Sequence, residues 1–128
     1  MIRDNWRFEY VASDLATAAQ TKMNYHQERL DFWKAKKSEV MDSIRADGLE
    51  IDEKIVMEFQ NIKARDWVKG AQVMIRNDLQ RDLDECLEKL RYHTEKLADY
   101  DSWHQILAAN PERNLDVHIT DWMFFFGK

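Results

Sequence analysis

Leu79, Leu83, Cys86, Leu90, His93, Leu97 and Tyr100 recur at alternating steps of four and three. That spacing predicts a helix laying one narrow stripe against another helix, a packing seam around which the rest of the chain is organised. A second series, Ala16, Ala19, Met23, His26, Leu30, Trp33, Lys37, Val40 and Ile44, keeps the same alternation without a slip. It predicts a helix from about Ser13 to Ala46, roughly 50 Å long at 1.5 Å per residue. His26 and Lys37 are its polar seam positions; Lys37 has a stem long enough to pack while its ammonium stays in water.

The punctuation agrees with a hairpin of these two helices. Asp47-Gly48 supplies a stop after the first, because glycine takes the left-handed conformation at a helix end without a Cβ penalty. Ile51, Ile55, Phe59 and Ile62 then mark a shorter helical stripe, followed by a break between about Ala64 and Arg76 that contains Gly70 and a very short alternation at Val73 and Ile75. Asn77-Asp78-Leu79-Gln80 reads as a capping box that opens the second long helix. Ser102-Trp103-His104-Gln105 repeats the device, so this helix is expected to end or kink near Asp99–Asp101 and a short helix to follow, itself closed by Asn110-Pro111.

With 3 Gly and 1 Pro in 128 residues there is little material for the turns of a β-sandwich. The fold class expected is mainly α: an antiparallel long-helix hairpin within a small helical bundle, residues 1–128 forming a single helical domain. Trp6, Phe8 and Tyr10 alternate with polar residues, as do Leu115, Val117 and Ile119, so the two terminal stretches are able to pair as a minor β element. The run Trp122-Met123-Phe124-Phe125-Phe126 that follows is too apolar to leave in water.

Charge narrows the function classes. The net charge of -5 counts against nucleic acid as the main partner, since such binding draws most of its affinity from Lys and Arg. A local exception is Lys34/Lys36/Lys37 beside Trp33, a patch that would give salt-sensitive nucleic-acid contact. Residues 22–45 carry six basic and four acidic side chains, whereas residues 77–101 carry four basic and eight acidic ones, a complementarity that suits neighbouring helices. The one cysteine, Cys86, falls on the seam, where it packs as a small hydrophobe; a reducing, cytoplasmic setting is expected. No window resembles a signal peptide or reaches the roughly 20 apolar residues of a membrane span.

Chemistry-bearing motifs are few. There is no phosphate-cradling glycine loop, HExxH, CxxC or GxSxG, and no Glu-x-x-His pair of a di-iron bundle. The most chemical-looking cluster is Asp101, His104, His118 and Asp121, whose carboxylates and imidazoles are the donor types of a divalent-metal site in a metal-dependent hydrolase or nuclease. Against it, Asp at a helix end is ordinary as a cap or in an Asx turn, and His118 fits the alternation of a strand. His26 and His93, on the two seams, are expected to be buried and to set helix register. No cofactor is expected. The leading functional expectation is therefore a small non-enzymatic helical protein that acts through protein–protein interaction, with a partner protein or as a homodimer. The surface expected to carry it is Trp122, Phe124, Phe125 and Phe126.

Overall fold

The structure, a computed structural model, describes residues 7–49, 51 and 76–128. In chain order the elements are strand β1 (Arg7–Val11), helix α1 (Ala12–Ala46), helix α2 (Asn77–Ala109), strand β2 (Asn114–His118) and helix α3 (Ile119–Phe126). The two long helices are those the seams predict, and they pack closely. The fold is mainly α, with a two-stranded antiparallel sheet. The stripe at Ile55, Phe59 and Ile62, the break at 64–75, and Trp6 lie outside the described residues.

The described chain gathers into two compact units: Arg29–Tyr92, and Met1–Glu28 with His93–Lys128. In the first, the core is Trp33, Val40, Met41 and Ile44 of α1, Ile51, and Leu79, Leu83, Cys86 and Leu87 of α2, with Leu49 and Leu90 packed beside them. Every described seam position of α1 in this unit is buried except Lys37, which is half-buried, in keeping with a stem that packs and a wet head. Helix α1 stops as its glycine requires. Gly48 takes φ 88, its N–H donates to the Arg45 carbonyl at 2.9 Å, and the Asp47 N–H reaches Ile44 at 3.1 Å. The Arg45 guanidinium donates twice to the Ile51 carbonyl, at 3.0 and 3.1 Å, and Arg76 pairs with Asp47, the residue after α1, at 3.1 Å.

The capping boxes fare differently. Helix α2 does begin at Asn77, but the Gln80 N–H donates to the Arg76 carbonyl at 2.9 Å, the bond that a capping Asn77 would have taken. The second box, at Ser102, marks no break: α2 runs unbroken to Ala109. The apolar face is why, because it continues through Tyr100 to Leu107, both buried, and seven residues of helix between two core contacts outweigh a local capping preference. The helix then ends immediately before Asn110-Pro111, as expected.

The second unit is built around small residues on α1 and rings elsewhere. Ala12, Leu15, Ala16 and Ala19 form one wall, and Tyr100, Leu107, Val117 and Phe125 fill the space that the alanines leave. The strands pair with Phe8 opposite Val117 and Tyr10 opposite Leu115, the register that puts both alternating apolar sets on one face. Ile119 departs from that alternation: it opens α3 instead of extending β2. The first free N–H groups of α1 are met by the turn after α2, since Ala12 donates to the Arg113 carbonyl at 2.8 Å and Ser13 to the Pro111 carbonyl at 2.9 Å. Among the described residues no helix is long and apolar enough to cross a membrane.

Candidate functional site

Helix α3 has no polar face to speak of, so its placement rests on what receives it. His118, the last residue of β2, caps its start: the Thr120 N–H donates to His118 Nδ1 at 3.2 Å and Thr120 Oγ1 lies 2.9 Å from the same nitrogen. An Nδ1 that accepts carries no proton, so the neutral ring keeps its hydrogen on Nε2. Along the body of α3, Trp122 Nε1 donates to Tyr10 Oη at 2.9 Å, and Tyr100 Oη donates to the Phe124 carbonyl at 2.6 Å. Lys22 donates to the Gly127 carbonyl just past the helix end. Carbonyls at a helix C-terminus have no partner within the helix, and a lysine complements both their lone pairs and the helix dipole.

The rings are equally committed. Phe124 stacks on Tyr100 with centroids 4.2 Å apart, Phe126 on Tyr10 at 5.0 Å, and Trp122 meets Phe8 at 5.9 Å. Of the four residues expected to carry an interface, Phe125 is buried, and Trp122, Phe124 and Phe126 are half-buried against their own chain. The large apolar side chain that α3 leaves outside is Met123, 52% exposed. On the neighbouring turns of α2, Trp103 is 47% exposed while its ring meets Phe125 edge-on at 6.2 Å, and Ile106, one turn further, is 62% exposed. Trp103 falls within the Ser102-Trp103-His104-Gln105 capping pattern, and neither it nor Ile106 lies on the predicted seam of α2.

The four members of the Asp/His cluster lie on three elements. Asp101 and His104 are on α2, where Asp101 Oδ2 accepts from Gln105 Nε2 at 3.1 Å; His118 is engaged as the α3 cap; Asp121 is exposed in the first turn of α3. Among the described residues no three His, Cys, Asp or Glu side chains are placed to hold a metal ion together. Lys34 and Lys36 are exposed on α1 and Lys37 is half-buried.

A polar feature that the sequence did not bring together is the meeting of the two seam histidines. His26 and His93 are each 5% exposed, and their Nδ1 atoms lie 2.8 Å apart. Tyr100 stacks on His26 at 5.7 Å, and Tyr25 presents its ring edge-on to His26 at 5.0 Å and to His93 at 6.1 Å. The pKa of His26 is lowered from 6.5, chiefly by burial and further by His93, Lys22 and Lys96. His26 precedes the end of α1 at Ala46 by roughly five and a half turns and His93 follows the start of α2 at Asn77 by roughly four and a half, so an antiparallel pairing brings them to within about a turn of one level. No protein-family model, no curated protein and no solved structure matches this chain.

Proposed function

We propose that this is a small non-enzymatic helical protein that works by binding protein, a second copy of itself or a partner, through the surface around α3. The residues assigned to it are Trp122, Phe124, Phe125 and Phe126, together with the apolar side chains that border them. The observation that supports this reading is the exposure of Met123, Trp103 and Ile106 on and beside a helix whose other large side chains already form a packed aromatic layer. Exposed apolar groups beside a rigid aromatic layer are the usual makings of a contact surface: the layer costs little entropy to present, and aromatic and Met side chains are enriched where proteins meet.

Sedimentation equilibrium over a wide concentration range tests the self-association arm, and affinity capture with wild type and Ile106→Glu in parallel tests the partner arm. The expected result is a concentration-dependent dimer, or a captured protein that Ile106→Glu fails to retain. A monomer at every concentration together with no protein lost on substitution overturns the reading.

A further inference from the structure

We infer that the buried His26–His93 pair is a proton-operated latch for α3: with a single hydrogen between the two Nδ1 atoms it holds the rings together, and uptake of a second proton parts them and frees the helix.

The chemistry follows from the inventory of a neutral imidazole, one N–H and one lone pair. A bond between two Nδ1 atoms 2.8 Å apart requires one of them to be protonated and the other bare. The first added proton goes to the outer nitrogen of the donor ring, which turns its Nδ1–H into a charge-assisted donor and leaves the pair intact. The second has only the bare Nδ1 to take, and there it sets two N–H groups and two positive charges face to face. The two rings therefore titrate as one unit in two steps, the second much harder than the first.

The surroundings sharpen that difference. On α1 the pair faces Lys22 and Tyr25, and on α2 it faces Lys96 and Tyr100; the charges that act on His26 are those of His93, Lys22 and Lys96, all positive when ionised. From α3 come the backbone carbonyls of Phe124, held through Tyr100 Oη, and of Gly127, held through Lys22. Two of the bonds that seat α3 are thus made by groups in direct contact with the pair or one helical turn from it. Once the rings separate and hydrate, each accepts its proton at the ordinary imidazole range, so acid favours the parted state and the loss of these bonds.

The test is hydrogen exchange of the intact protein at about pH 7.5 and about pH 5, with intrinsic exchange rates divided out, in wild type and in His93→Gln, which keeps a neutral hydrogen-bonding side chain. In wild type, protection of residues 119–126 is expected to fall at least about tenfold on acidification and to recover on neutralisation; in the variant the change should shrink below about threefold. A titration of the wild-type imidazoles by nuclear magnetic resonance stands in if the variant does not fold: the lower of two coupled steps should coincide with the loss of protection. Equal protection of α3 at both pH values, an undiminished response in His93→Gln, or two independent imidazole titrations would overturn the latch. None of these readouts depends on whether the protein binds another.

Discussion

Leu83 and Cys86 lie one turn apart on α2 with no solvent exposure, and they separate two contributions to the same core. Leu83→Ala removes packed carbon that nothing can replace, so it should cost about 2–5 kcal/mol, read as a lower urea midpoint at unchanged slope. Cys86 is a chemical reporter instead: burial pushes its thiol up from the ordinary range, outweighing the neighbouring Lys36 and Lys37, so little thiolate is present and less is reachable. Alkylation of the native protein should track opening of the core, slow at neutral pH and accelerated by any variant that lowers stability. The imidazole of His26 sets a pH dependence whose sign is definite. Its pKa is lowered in the fold, so the unfolded chain binds more protons in the window below 6.5, and the stability it contributes is complete above that value and lost as pH falls through it. Asp84, raised from 3.8 by burial, has the opposite sign, since its stabilising form is the protonated one, present below 3.8 and lost as pH rises through the folded value. The melting temperature should therefore drop from about pH 7.5 to about pH 5 in wild type and drop less in His26→Gln.

At the scale of elements, the stop of α1 offers the plainest check. Gly48 sits at φ 88, and among the described residues an added methyl meets no neighbour, so the cost expected is that of the left-handed backbone. Gly48→Ala should cost about 1 kcal/mol, seen as a melting temperature lower by a few degrees. This stop, the seams of α1 and α2 and the pairing of the two terminal stretches were legible in the sequence, because each depends on a period or a residue whose physics is local; the register that sets Phe8 opposite Val117 and Tyr10 opposite Leu115 was not. The length of α2 was not, since a capping box at Ser102 reports what a helix start tolerates and says nothing of the core contact that Leu107 makes beyond it. Nor was α3, where five consecutive apolar residues have neither a period of two nor one of 3.6; its seating rests on the His118 cap, on the Trp122 bond to Tyr10 and on the bonds from Tyr100 and Lys22. The meeting of His26 and His93 required knowing how the two helices align, which neither seam states by itself. The alternative cluster of Asp101, His104, His118 and Asp121 is spread over three elements, and among the described residues no three such side chains are placed to hold a metal ion together.

For the whole molecule, the question is whether the aromatic layer under α3 serves only to close its own core. Three hydrogen bonds and four ring contacts, the edge-on meeting of Trp103 with Phe125 among them, already hold its inner side, and neither of the exposed apolar side chains Ile106 and Met123 is one of those partners. A substitution that charges the outside without touching the inside therefore distinguishes a contact surface from an incidental one. Ile106→Glu fits the purpose, because the side chain is 62% exposed and a glutamate is a good helix former at its position on α2. Its effect on folding should stay within about 0.5 kcal/mol, checked by the urea midpoint. Its effect on association should be at least tenfold in Kd, about 1.4 kcal/mol, because a carboxylate desolvated against another apolar surface has no compensating partner. Tyr100→Phe supplies the complementary arm. It keeps the ring stacked on Phe124 but removes the hydroxyl that holds the Phe124 carbonyl, so it should cost about 1 kcal/mol in stability and loosen α3. If the bound surface is the seated helix, that variant weakens association as well; if Tyr100→Phe strengthens it, the partner-binding form is the one with α3 released, and the contact lies on the face that α3 now covers.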